Sequence, residues 1–426
     1  MANAVLYTDM SYVQLIKSEP RPLLFGLSNA FFSGLGQTHF VALFSPFLIA
    51  LFGVSNTQYG LMYSIATLLS ALVLPFAGVY IDRMDIRKFA MLVGLGLIVS
   101  ELILLSTSWL PLVFVALFGL RLFGQGLCSH ITVVPTARYF NEVRGKALGI
   151  VIIGQPLAEG VLTPIAAYGL EFIKWQNMCL IMAIFVAVVY LPLMLTLTKG
   201  NDNFNKPNDQ ETTTKKDAQV SGKKSWTRRQ VFTHPTAYFL IPQSLMPAFT
   251  LTGVLFHQGL IGEMKGWSLV QIASGLTFFA IGRSIMGPLS GPFVDRVTAY
   301  RLYPYYLIPL ILGFVILAYT PNIIFAYISF ALFGMSVGMG GTIKSAIWPE
   351  LYGTAHLGAI NSTLGTIVVF STAVSPGLFG YILDYQQEPV TLILGCGVIT
   401  GITSLLAWFH LRFGAATSLR PEPPRT

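Results

Sequence analysis

Apolar and polar positions alternate along this chain over blocks of about twenty residues: long runs of Leu, Ile, Val, Phe, Ala and Gly are separated by short connectors rich in Arg, Lys, Asp, Asn and Pro. A helix needs roughly 20 apolar residues to cross about 30 Å of hydrocarbon. Runs of that kind fall at 23–51, 57–80, 89–107, 111–137, 146–168 and 175–197, and again at 236–261, 268–293, 302–319, 323–347, 358–383 and 390–412. The pattern predicts an all-α integral membrane protein with twelve transmembrane helices. A membrane barrel would need alternating strands of about ten residues, and the long unbroken runs argue against it.

Composition agrees. Of 426 residues, 54% are hydrophobic and only 10% charged, and the mean hydropathy is +0.67, values unlike those of a soluble domain with a charged surface. Cys128, Cys179 and Cys396 lie inside apolar runs without metal-ligand spacing and read as small buried hydrophobes. No metal or cofactor is expected. The net charge of +8 is spread over alternate connectors rather than gathered in one basic patch, so it indicates topology and not nucleic-acid binding. With the N-terminus inside, Lys17, Arg21, Arg83, Arg87, Lys88, Arg138, Arg144, Lys146, Arg296, Arg301 and Arg412 share one side with the basic central loop, while the other side carries Lys174 and Lys265. Both termini are therefore expected in the cytoplasm of a multi-pass inner or plasma membrane protein. Residues 1–20 lack the pattern of a signal peptide.

The chain repeats. Gly78-Val79-Tyr80-Ile81-Asp82-Arg83, followed by Asp85, Arg87 and Lys88, has a second copy in Gly291-Pro292-Phe293-Val294-Asp295-Arg296 with Arg301 beyond it. Ala116-Leu117-Phe118-Gly119 likewise recurs as Ala331-Leu332-Phe333-Gly334, and each is followed by Gly-rich sequence and then a proline, Pro135 or Pro349. Two six-helix halves are expected: a tail 1–22, a bundle 23–198, a linker 199–234, a bundle 235–412 and a tail 413–426. The linker is polar and nearly free of aliphatic residues. At its end Trp226, Arg228, Arg229, Val231 and Phe232 allow either a short interfacial helix with basic heads toward anionic lipid or an unstructured basic tail.

The first Asp-Arg loop resembles the loop between the second and third helices of the major facilitator superfamily of secondary transporters. Gly78, Asp82, Arg83, Arg87 and Lys88 match its pattern, and Asp85 stands where the family usually has Gly. The resemblance implies two pseudo-symmetric six-helix bundles and a gating role for Asp82, Arg83, Arg87, Asp295 and Arg296. It places Asp82 near the N-terminus of the eleventh helix at His356-Leu357-Gly358, where the helix dipole favours a carboxylate. By symmetry Asp295 would approach the start of the fifth helix at Arg144-Gly145-Lys146. Tyr139-Phe140 through Lys146, with Gly149, Gly154 and Gly160 following, is similar to the start of the fifth helix in the monocarboxylate and oxalate–formate branches. The spaced glycines offer a surface for close helix approach.

Ionisable residues inside spanning helices suggest function. Arg283, deep in the eighth helix within Gly282-Arg283-Ser284-Ile285-Met286-Gly287, resembles the arginine with which those branches hold a carboxylate, and a guanidinium fork suits that task. Phe279 and Val368 stand where the branches place further charges, which argues against a dicarboxylate. Arg121 and Glu101 lie at similar depth, each roughly 15–18 Å from its own helix start, and are expected to pair. Glu159, in Gly154-Gln155-Pro156-Leu157-Ala158-Glu159-Gly160, is the leading proton site, because a carboxyl that alternates between wet and dry surroundings takes up and releases a proton; Arg121 and Glu101 are the other candidates for proton coupling. His39, Gln37, His257 and Gln258 are expected to line the substrate cavity with Arg283. No Walker loop, metal spacing or nucleophile motif points to an enzyme. The expected activity is alternating-access transport of a small organic anion, a monocarboxylate in the first instance, by proton symport or anion exchange, carried out by a monomer. Proton-coupled efflux of hydrophobic or cationic compounds is the alternative.

Overall fold

A computed structural model of the chain describes residues 11–200, 204, 226–354, 356–386 and 388–414. The described residues are helical, with no strand among them. The expected linker therefore lies largely outside the described residues, as do parts of both tails. Two compact units form: Met1–Val54 with Met62–Asp209, and Ser55–Leu61 with Gln210–Thr426.

In the first unit a short helix, Tyr12–Ser18, is started by a capping box between Ser11 and Gln14 and buries Leu15 against Leu23, Phe140 and Val143. The first span is a bent pair, Pro20–Gly36 and Thr38–Phe52, with a 42° break. It ends at Gly53, whose φ of +61° needs no Cβ. Asn56–Arg83, Ile86–Leu105, Leu110–Tyr139, Asn141–Gly169 and Trp175–Leu197 follow as the second to sixth spans. The second unit carries Pro235–Phe256, Leu269–Val297, the shorter apolar helix Ile308–Tyr319, Ile323–Tyr352, Leu357–Gln386 and Pro389–Phe413. Counting the bent pair once and the short helix as the ninth span, the expected twelve are present among the described residues. Their outward positions are apolar, for example Leu72, Phe76, Phe293, Val398 and Leu405, as lipid-facing surfaces must be.

Three spans expected to be continuous are interrupted. The first breaks at Gln37, whose backbone is extended (φ −77°, ψ 153°). The seventh breaks at His257, so that Gln258–Met264 forms a separate helix. The ninth is preceded by Ala299–Leu302 and a turn holding Pro304, and its helix begins only around Pro309, since proline removes a backbone donor and restricts the residue before it. Helix starts follow ordinary capping chemistry: Asp85 accepts from the N–H groups of Arg87 and Lys88, Ser268 forms a capping box with Gln271, and Asn322 accepts from Ile324.

Glycine seams set the closest approaches. A Cβ on Gly36 would lie 2.1 Å from the Leu120 carbonyl, one on Gly154 would lie 2.2 Å from the Leu27 carbonyl, and one on Gly334 would lie 2.0 Å from the Phe279 carbonyl. Gly149, expected to share the fifth-span contact surface, meets nothing within 4 Å and does not belong to it. The repeated tetrapeptide also serves different neighbours: Gly119 abuts Ser100 of the third span, whereas Gly334 abuts the eighth.

Between the two readings of the linker's end, the structure selects the helix. Arg228–Thr233 starts with a capping box between Thr227 and Gln230 and buries Val231. The Trp226 N–H donates to the Tyr352 carbonyl, and its ring meets His234 and Tyr352 edge-on. His234 in turn accepts from the Thr236 N–H to cap the seventh span; partial burial draws its pKa below the usual histidine value.

Candidate functional site

Within the first unit, the polar side chains gather around the break in the first span. Ending one helix at Gly36 frees backbone groups that must find partners inside the membrane. The Arg121 guanidinium donates to the Gly36 carbonyl at 3.2 Å and reaches Thr38 Oγ1 at 3.5 Å. It lies over the Tyr63 ring, 5.2 Å from the centroid, and the Tyr63 hydroxyl donates to Thr38 Oγ1 at 2.9 Å. Arg121 thus holds the break from the fourth span, a cation–π contact supporting its buried charge.

One residue further along the broken span is His39, buried like Gln37. Its Nδ1 is 3.0 Å from Thr163 Oγ1, and its Nε2 is 3.8 Å from Glu159 Oε1. Glu159 is 5% exposed, with Gln155 Nε2 at 3.5 Å. Both intramembrane charges of this cluster sit in π-helical turns, Arg121 in Leu120–Cys128 and Glu159 in Ala158–Leu162. Such turns insert an extra residue into the helical repeat and re-aim the side chains they carry, and they are frequent at functional sites. His39, Thr163, Glu159 and Gln155 thus form one buried polar cluster beside the break, with Thr163 set against the imidazole ring.

Glu101 does not join this cluster. It is fully buried on the third span, beside the Cys179 thiol of the sixth. The expected Glu101–Arg121 ion pair is absent among the described residues: equal depth along two helices does not bring their side chains to one face, and Arg121 turns toward the first span instead.

In the second unit, Arg283 is half-buried on the eighth span. Its backbone lies along the close packing of that span on the tenth, since a Cβ on Gly338 would be 2.6 Å from the Arg283 carbonyl. His257 is buried at the break of the seventh span, and its Nε2 is 2.9 Å from the Pro376 carbonyl of the eleventh. Gln258, beside it, is also buried.

Among the loop residues, Asp82 pairs with Arg138 at the end of the fourth span. Arg87 donates to Thr198 Oγ1 at 3.0 Å and to the Thr198 carbonyl at 3.1 Å, closing the C-terminal end of the sixth span. Arg83, Asp295 and Arg296 are exposed. Gly78 packs on the His130 ring, 3.3 Å from where its Cβ would be. In the second loop, Glu350 from the end of the tenth span accepts the N–H groups of Ala299 and Tyr300 at 2.8 and 2.9 Å. The helix start that Asp85 caps locally in the first loop is capped there from a distance.

Several participants escaped the sequence reading. Tyr63, Thr38 and Thr163 are uncharged and scattered, and the one local signal that could have pointed to them, Gly34 and Gly36 before Gln37, lies inside a run expected to be a continuous span. Asp384 lies one residue past the expected end of the eleventh span at 383, and its carboxylate takes donors from Asn56 and Thr57.

A polytopic helical bundle with a broken span and buried polar side chains at the break is an architecture that membrane carriers use. Comparison with known proteins agrees. The sequence matches the Major Facilitator Superfamily profile over residues 26–275 and 245–426, and the chain belongs to the major facilitator superfamily. It is 24% identical over 410 residues to YcxA of Bacillus subtilis (strain 168), an uncharacterized MFS-type transporter, covering 92% of this chain and 96% of that one. Its fold is similar to that of a bacterial homolog of the human lysosomal transporter Spinster. The inward-facing, occupied form of that protein gives a TM-score of 0.69 at 15% identity, covering 96% of this chain and 99% of that one. The unoccupied form gives 0.68 at 15% identity over 95% and 99%. The chain is a multi-pass membrane transporter for a small-molecule substrate.

Proposed function

We propose that this transporter moves a small organic anion, a monocarboxylate in the first instance, by alternating access with proton symport or anion exchange. The observation that carries the coupling is the buried Glu159 carboxylate beside His39 at the break of the first span. A proton taken up there from one side changes the charge of the cluster, and so the cost of carrying it through a dry, closed state. Arg283 supports the anion reading: it is a cation far inside the eighth span, and its fork matches one carboxylate. His39 and Gln37 in the first unit, and His257 and Gln258 in the second, are the proposed polar lining. Asp82, Arg83, Arg87, Asp295 and Arg296 are the proposed gating residues. The proposed organisation is bundles 23–198 and 235–412, as a monomer in the inner or plasma membrane with both termini cytoplasmic.

The test is a thermal-shift screen of the purified protein against small carboxylates, amines and amphipaths. A monocarboxylate should raise the melting temperature of the native protein and leave Arg283→Gln unmoved. Stabilisation by amines or amphipaths with no response to any carboxylate would instead favour efflux of hydrophobic or cationic compounds.

A further inference from the structure

The last turns of the twelfth span join an apolar groove to a cation held between aromatic rings. Along Pro389–Phe413, Ile402, Leu405, Leu406 and Phe409 are exposed, and their spacing lines them up on one face of the helix. With Trp408 they line a groove of about 400 Å³. Just beyond it along the helix stands Arg412. Its guanidinium lies over the Trp408 ring, 5.3 Å from the centroid, and over the Phe413 ring at 5.4 Å, and Trp408 Nε1 donates to the Tyr305 hydroxyl at 2.9 Å. Tyr305 follows the short helix Ala299–Leu302, which is tied to the same place, since the Tyr300 hydroxyl donates to the Leu411 carbonyl. Arg301 and Arg412, each next in sequence to that contact, are exposed, and neither has an ion pair among the described residues. The Glu350 carboxylate, which meets the same short helix from the tenth span, is engaged by the Ala299 and Tyr300 N–H groups. All of these residues belong to the second unit.

Exposed Trp and Tyr at the end of a span are ordinary anchors to the membrane boundary. An unpaired guanidinium fixed beside them, at the mouth of an apolar groove, is a more specific arrangement. We propose that this end of the second unit binds one anionic phospholipid, with its phosphate on Arg412 and the Tyr305 hydroxyl and an acyl chain in the groove. Arginine suits the phosphate because its planar fork can give two parallel hydrogen bonds while its face rests on an aromatic ring. The two rings steady the guanidinium without neutralising it. Tyr305, as acceptor of the Trp408 bond, keeps its own O–H to donate. Arg301 adds positive potential, which favours an acidic headgroup over a zwitterionic one. A second copy of this chain fits the stripe less well: about a twofold axis along the membrane normal it would set its own Arg412 at the same level, cation toward cation. The proposal does not depend on which substrate is carried or on which face is cytoplasmic.

Native mass spectrometry of the full chain, titrated with phosphatidylglycerol and with phosphatidylcholine of the same acyl chains, tests it. The native protein should bind its first phosphatidylglycerol about fivefold more tightly than its first phosphatidylcholine, the factor that one basic residue near the surface supplies. Arg412→Gln should remove that preference and leave phosphatidylcholine binding as it was, while Arg412→Lys should keep part of it. Leu405→Trp, which fills the groove and leaves Arg412 in place, should weaken both lipids and provides the readout should Arg412→Gln misfold. Arg228→Gln, on the short helix before the seventh span, should change neither. Four outcomes overturn the proposal. The native protein shows no preference; Arg228→Gln loses as much of it as Arg412→Gln, which would make it a diffuse effect of surface charge; glycerol phosphate displaces the lipid at equal concentration, which would make it a phosphate site with no use for the groove; or a lipid-free dimer appears that Leu405→Trp breaks up, which would make the stripe a contact between copies.

Discussion

Thr298 carries a φ of +79°, the only positive value among the described non-glycine residues. It occupies the place in the second Asp-Arg loop that Asp85 holds in the first. Asp85, at φ −57°, is an ordinary N-cap, so the glycine usual at that place in the family is dispensable in the first loop. In the second, a β-branched residue is held in a conformation that suits glycine, at a strain on the order of 1–3 kcal/mol. Thr298→Gly should therefore stabilise the purified protein, by about 1 kcal/mol after the added unfolded-state freedom of glycine, seen as a higher melting temperature. Glu159 makes a different prediction. Glu159→Gln keeps the shape of the side chain and its contacts with His39 and Gln155 but cannot exchange a proton. Uptake driven by a pH gradient into proteoliposomes should fall at least about tenfold, while exchange of substrate across the membrane persists.

Glycines along the spans separate into those that touch and those that do not. At Gly334 a methyl group would meet the Phe279 carbonyl at 2.0 Å, and at Gly149 it would meet nothing. Gly334→Ala should cost roughly 1–3 kcal/mol through backbone displacement, while Gly149→Ala should gain about 0.5–1 kcal/mol from helix propensity. Melting temperatures of the two variants, measured side by side, check both signs. Periodicity and length placed nearly every span to within a few residues, because the bilayer demands about the same run of apolar residues each time. Hydropathy did not reveal the break at Gln37, the break at His257 or the π turns under Arg121 and Glu159. All of these occur inside runs that are apolar enough to cross, and what decides them is a neighbouring helix: the Leu120 carbonyl against Gly36, and the Pro376 carbonyl beneath His257.

The charges of the Asp-Arg loops are where reading one loop at a time is least sufficient. The motif singles out Asp82, but its structural partner Arg138 lies 56 residues on. If that pair sets the posture of the loop, Asp82→Asn and Arg138→Ala should shift the balance of inward-open and outward-open states in the same direction without changing which compounds stabilise the protein. Paired-probe distance measurements across each face would show this, and opposite shifts would separate the two residues.

Span count and superfamily followed from the chain alone, since they rest on local quantities: runs of apolar residues and two copies of a short motif. The pairing of the buried charges did not. Glu101 and Arg121 stand at equal depth and yet face different helices, while His39 and Glu159, far apart in sequence, come within 3.8 Å. Depth is counted in residues along one helix, but direction depends on helix rotation. That rotation is fixed by the glycine seams and side-chain packing between helices, which exist only once the bundle has formed.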